Sequence, residues 1–166
     1  MKKKVVTRYC LFVAALLLLI IIPITNATPA AQLVSQFNLT SDRTATPVTY
    51  TFFTEPASGT LKFHELFSPN GVEAHITIPV NSKEGPTEVQ LKFDRQFVTA
   101  YFPQSETIIL QIDRKTLDCC SLYSFAIKDG QLTVAIGNKT NTVDNISAFT
   151  GSFVSQSVSG KAAVYK

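Results

Sequence analysis

Beyond its first 27 residues the chain alternates apolar and polar positions with period two. Val72, Ala74, Ile76, Ile78 and Val80 alternate with Glu73, His75, Thr77 and Pro79. Val89, Leu91 and Phe93 alternate with Glu88, Gln90, Lys92 and Asp94. Ile108, Leu110 and Ile112 alternate with Thr107, Gln111 and Asp113, although Ile109 interrupts the polar set. Successive side chains of a strand point to opposite faces, so each run predicts one buried face and one wet face. No stripe at helical spacing extends for ten residues after Ala27. Thr, Val, Phe and Ile, which suit a pleated surface, are abundant.

The pattern predicts about nine strands, near 33–40, 47–54, 59–67, 72–80, 87–94, 96–102, 106–113, 121–128 and 131–137. One or two more follow between Ile146 and the end. Short strands at this spacing read as one all-β domain, an antiparallel β-sandwich or a small β-barrel. Strand order and shear decide between the two, and alternation reveals neither.

Two hairpins acquire a register. Asp129-Gly130 suits a two-residue type I′ turn, because both positions need positive φ. That turn sets Lys128 opposite Gln131, Ile127 opposite Leu132, Phe125 opposite Val134 and Tyr123 opposite Ile136. The three apolar pairs then share one face. A second hairpin, Leu61 to Val80, is expected around Ser68-Pro69-Asn70-Gly71. It pairs Phe67 with Val72, Phe63 with Ile76 and His64 with His75, but it also puts Glu65 on the inner face. A last, less regular hairpin is expected around Ser159-Gly160.

The first 27 residues have a different character. Lys2, Lys3, Lys4 and Arg8 precede an apolar run, Pro23 ends it, and Thr25-Asn26-Ala27 supplies small residues for a cleavage site. This order is that of a secretory signal peptide over 1–27, followed by the β domain over 28–166. The run from Cys10 to Ile24 is 15 residues long. A spanning helix needs about 20. An uncleaved signal anchor is the alternative, and Pro23 with the small residues after it speaks against that. A lipoprotein would need its Cys after the apolar run, and Cys10 opens it. The expected destination is outside the cytoplasm, periplasmic or extracellular. Contact with a membrane is expected only through this segment if it stays uncleaved.

Removing the segment changes the charge. The chain has 15 Lys+Arg and 12 Asp+Glu; four of the basic residues and none of the acidic ones lie before Ala27. The remaining 11 and 12 give a net charge of −1 over Thr28–Lys166. Nucleic-acid binding needs a basic face to displace counterions, so that class of partner is not expected.

Few residues offer chemistry. Cys119 and Cys120 are the only cysteines after Ala27, and they are adjacent. Export would bring them to an oxidising compartment. Neighbouring cysteines cannot join distant strands, so the choices are two idle thiols, a strained bond within the pair, or a bond to another chain. The second hairpin brings His64 and His75 to one polar face beside Glu73, a set that resembles the ligands of zinc or copper. The same face holds Lys62 and Leu66, and a solvated strand face has this composition too. No metal and no cofactor are expected. There is no Gly-X-Ser-X-Gly elbow and no His-Glu-X-X-His helix, and no catalytic residue stands out.

Phe97, Tyr101 and Phe102 are the candidate binding surface. Val98, Ala100 and Phe102 alternate with Phe97, Thr99 and Tyr101, and both sets cannot face one core. Asn38-Leu39-Thr40, Asn138-Lys139-Thr140 and Asn145-Ile146-Ser147 match the N-glycosylation pattern, which matters only in a pathway that glycosylates. The expectation is an exported β domain that works as a binding or interaction module for a protein or cell-surface partner. The alternatives are a barrel that carries an apolar small molecule or lipid, and a small hydrolase whose site assembles from loops.

Overall fold

The computed structural model describes residues 30–40, 46–69, 73–118 and 120–166. The expected signal peptide, the Asn70-Gly71 turn with Val72, and Cys119 lie outside the described residues. The strands are β1 (Leu33–Leu39), β2 (Val48–Thr51), β3 (Gly59–Phe67), β4 (Ala74–Ser82) and β5 (Gly85–Phe93). They continue as β6 (Phe97–Phe102), β7 (Thr107–Asp113), β8 (Tyr123–Lys128) and β9 (Gln131–Ile136). The last four are β10 (Lys139–Asp144), β11 (Ile146–Phe149), β12 (Ser152–Gln156) and β13 (Ser159–Tyr165).

Two antiparallel sheets form a sandwich. The first has the order β1-β13-β3-β8-β9-β10 and the second the order β2-β12-β4-β5-β6-β7. β11 and β12 flank the same side of β4 in succession, with a kink at Thr150-Gly151 between them. The sandwich is therefore the answer to the question that alternation left open. At one side β10 meets β7, where the Asn141 side-chain amide donates to the Ile109 carbonyl at 2.7 Å. At the other side β1 meets β2: the Phe37 and Tyr50 rings lie 5.6 Å apart, and the Tyr50 hydroxyl accepts the Thr40 N–H at 3.3 Å.

The inner faces are filled. Phe63 packs edge-on to Phe125 at 6.1 Å and to Phe153 at 5.3 Å. Phe153 also stacks on Tyr50 at 5.0 Å. Ile76, Ile78, Leu91, Val134 and Val164 close around these rings and are fully buried. Each fully buried ring of this kind stabilises the fold by about 2–3 kcal/mol through burial alone. A carrier barrel would keep that space open for its apolar ligand; here side chains occupy it.

The Asp129-Gly130 hairpin forms in the expected register, from Tyr123–Ile136 to Lys128–Gln131. Asp129 and Gly130 take φ of 53° and 78°, as a type I′ turn requires.

The other two hairpins do not form. β3 lies in the first sheet, between β13 and β8, and β4 lies in the second, between β5 and the pair β11 and β12. Phe63 is paired with Ala162 and Tyr123, and Ile76 with Leu91 and Ser155. The physical reason sits at Glu65, the residue that the hairpin would have buried. It adopts a left-handed φ of 52° and makes a bulge, so its carboxylate reaches Lys161 at 2.7 Å in solvent. Beyond the bulge, Leu66 packs on the core and Phe67 is 65% exposed.

Nor is Ser159-Gly160 a hairpin turn. The chain crosses from the second sheet to the first through Ser157 and Val158, and Gly160 lies within β13. β10 was not foreseen, because Lys139–Asp144 is polar on both faces apart from Val143. Three strands, rather than one or two, follow Ile146.

Candidate binding surface

The second sheet presents a polar outer face across β4, β5, β6 and β7. These four strands are a meander, so each borders its sequence neighbour. The register aligns Thr77, Gln90 and Tyr101 in one cross-strand row. It aligns His75, Lys92, Thr99 and Gln111 in the next row. Phe97 follows at the end of β6, opposite Asp113. These residues alternate with Ile76, Val89, Leu91, Val98 and Ala100, which point into the core.

The side chains hold one another in place. The Tyr101 hydroxyl donates to the Gln90 side-chain oxygen. The Gln90 amide in turn donates to Thr77 Oγ1 at 3.1 Å. The Gln111 amide donates to Thr99 Oγ1 at 3.0 Å. Thr99 lies between Phe97 and Tyr101 on β6 and is only 8% exposed, although it is on the outer face. Amides so anchored keep few rotamers, and a ligand that binds them has less conformational entropy to remove.

His75 is half-buried at the β4 end of its row, and its Nδ1 is buried without a hydrogen-bond partner. Burial lowers its pKa below the ordinary 6.5; the nearby Lys92 ammonium adds to this and Glu73 opposes it. The imidazole is thus neutral at neutral pH.

Phe97 and Tyr101 share this face. Phe102 does not: it turns to the core side and lines a cleft of about 440 Å³ with Val143, Ile146 and Gln104. The bulge between β6 and β7 shifts the register after Ala100, and it also accounts for Ile109, which is buried as an extra residue in β7.

The histidine set does not assemble. His64 is on the outer face of the first sheet beside Lys161, and His75 is on the outer face of the second. Glu73 precedes β4 near His75, away from His64. Among the described residues no three His, Cys, Asp or Glu side chains group as metal ligands.

Cys120 is exposed and borders a cleft of about 630 Å³ with Asp113, Leu117, Asp118, Ser121 and Lys139. The two carboxylates of this cleft shape its loop. Asp113 accepts the Lys115 N–H at 2.9 Å. Asp118 accepts the Cys120 N–H and the Ser121 hydroxyl, each at 3.0 Å.

Thr77, Gln90, Thr99 and Gln111 were not singled out from the sequence. Each is the polar member of an alternating run, which is the signal of any wet strand face. Only the order of neighbouring strands shows that they form rows.

No protein-family model matches the chain. No curated protein matches it either. Solved structures resemble it in fold. Galectin LEC-6 of Caenorhabditis elegans is 10% identical, with a TM-score of 0.43, over 79% of this chain and 95% of that one. The β-glucanase of Bacillus licheniformis is 11% identical, with a TM-score of 0.43, over 71% of this chain and 65% of that one. Fructofuranosidase from Schwanniomyces occidentalis is 12% identical, with a TM-score of 0.49, over 82% of this chain and 34% of that one. At such identities no residue role passes from those proteins to this chain.

Proposed function

We propose that the protein is an exported binding module and that the outer face of β4–β7 is its working surface. The partner is a protein or a cell-surface component. One observation carries the reading: a polar sheet face, partly withdrawn from water, in which Gln90, Gln111, Thr77, Thr99 and Tyr101 are already oriented by mutual hydrogen bonds. Preorganised donors and acceptors beside the Phe97 and Tyr101 rings are the composition of a recognition surface. The signal-like segment over 1–27 supports a place outside the cytoplasm.

Side-chain amide resonances provide the test. On adding a preparation of envelope or cell-surface material, the Gln90 and Gln111 amides shift, while that of Gln131 on the first sheet stays in place. Tyr101→Ala removes the response and keeps the fold. Shifts confined to the first sheet, or none on either sheet, defeat the reading.

A further inference from the structure

The row of His75, Lys92, Thr99 and Gln111 does not stop at the sheet. Gln111, whose amide is fixed to Thr99 at 3.0 Å, also lines the cleft of about 630 Å³ beside β7. Asp113, the ladder partner of Phe97, lines it too. The outer face of β4–β7 and the cleft therefore meet, with Gln111 and Asp113 at the join. A cavity of this size is within the range of small-ligand sites.

The walls of the cleft are held in place. Asp113 Oδ1 accepts the Lys115 N–H and caps the single helical turn Arg114–Thr116. Asp118 Oδ1 accepts the Cys120 N–H and the Ser121 hydroxyl. The Gly137 N–H donates to the Leu122 carbonyl at 2.9 Å and ties the loop to the turn between β9 and β10. Each carboxylate spends one oxygen on this frame. Among the described residues the other oxygen has no partner, and neither have Gln111 Oε1 nor the Asn138 and Lys139 side chains.

The chemistry of this surface selects its ligand. Lys92 and Lys139 balance Asp113 and Asp118, and His75 is neutral, so row and cleft carry no net charge to attract an ion. Nucleic acids and anionic lipid surfaces need a basic face. An extended peptide joins a sheet at a strand edge, whereas here the sheet offers its face. What the surface offers is paired donors and acceptors. The Gln111 and Asn138 amides both give and take hydrogen bonds, the carboxylate oxygens take them, and the Lys139 ammonium gives them. Adjacent hydroxyls of a sugar ring are the complement, since each hydroxyl also gives and takes. The Phe97 and Tyr101 rings add flat, electron-rich faces on which the C–H side of a sugar ring packs.

We propose that the face and the cleft together bind an uncharged glycan whose rings carry adjacent free hydroxyls, with one ring in the cleft and the chain laid along the Thr99 row. The proposal rests on the reading of this face as the working surface and narrows the class of its partner.

The test divides the envelope or cell-surface preparation into three portions. One is untreated, one is digested with a proteinase that is then inactivated, and one is oxidised with periodate, which breaks the bond between adjacent hydroxyl-bearing carbons. The Gln90, Gln111 and Asn138 side-chain amides are expected to shift with the untreated and the digested portions, and to stay in place with the oxidised one. Asn138 is exposed in a turn, so Asn138→Ala keeps its melting temperature. This variant needs about fivefold more material for the same Gln111 shift, the loss expected for one hydrogen bond. A response that survives periodate and is lost to proteinase overturns the glycan in favour of a protein partner, and leaves the binding face standing. A shift of Gln90 with none at Asn138 overturns the part given to the cleft. No shift with any portion defeats the reading of the face itself, and the glycan with it.

Discussion

Glu65 on β3 and Gly160 on β13 face each other across one ladder of the first sheet, and each depends on the other. Glu65 takes a left-handed φ of 52°, and its bulge brings its carbonyl close to Gly160. A Cβ on Gly160 would stand 2.9 Å from that carbonyl oxygen and 2.8 Å from the carbonyl oxygen of His64. Gly160 itself has φ of 148°, a conformation that L side chains rarely adopt.

Gly160→Ala is therefore expected to destabilise the protein by about 2 kcal/mol or more, through backbone contacts that cannot relax by a rotamer change. Gly130→Ala provides the comparison. Gly130 has φ of 78° but open space around it, so it costs only the conformational part, about 1 kcal/mol. Urea unfolding of the two variants checks the order. A Gly160→Ala protein as stable as Gly130→Ala would show that the ladder moves apart at no cost.

Acid should weaken the fold through His75. Its pKa is lowered in the folded protein from the ordinary 6.5, chiefly by burial. The unfolded chain therefore takes up the proton first, and stability falls as pH drops below about 6.5 towards the folded value. His75→Gln is expected to flatten this part of the profile, measured by urea midpoints at about pH 7.5 and about pH 5.5. Glu65 acts in a lower window. Its hydrogen bond to Lys161 lowers its pKa from 4.5, so that contribution is present above 4.5 and is lost only in stronger acid. A slope between neutrality and pH 5.5 that persists in His75→Gln would assign it elsewhere.

The cysteine pair should matter little to monomer stability. The chain-entropy contribution of a disulfide grows with the loop that it closes, and adjacent cysteines close almost none. Replacing Cys119 and Cys120 together with Ser is expected to leave the melting temperature nearly unchanged. Thiol labelling before and after reduction shows whether the pair is oxidised, and a non-reducing gel shows whether a bond joins two chains. A large loss of stability in the double variant would make the pair part of the core.

Processing has a direct readout. From Pro23 and Thr25-Asn26-Ala27 the mature N-terminus is predicted at or within a few residues of Thr28. Intact-mass spectrometry of the exported protein checks this. A chain that still carries Leu11 to Ile22 would be a signal anchor instead.

Alternation by itself determined which residues of β4, β5 and β8 are buried: Ile76, Val89, Leu91 and Phe125 all lie on the expected side, whereas in β7 Ile108, expected on the buried face, is 55% exposed and Ile109 is buried in its place. It also determined one hairpin in full, because Asp129-Gly130 holds its turn within two residues and the strands on either side agree with it. It held no information on neighbours beyond such a turn. β3 and β4 are adjacent in sequence, amphipathic in the same sense, and yet belong to different sheets. His64 and His75 were parted for that reason. Phe97 and Tyr101 came to share a face with Gln90 and Gln111, and Phe102 turned inward. Glu65 was the one visible sign, a charge on a face that had to be apolar. A period of two tells a strand which side to bury; which strand lies beside it is decided by the packing of Phe63, Phe125 and Phe153 across the sandwich, a long-range contact that no local run contains.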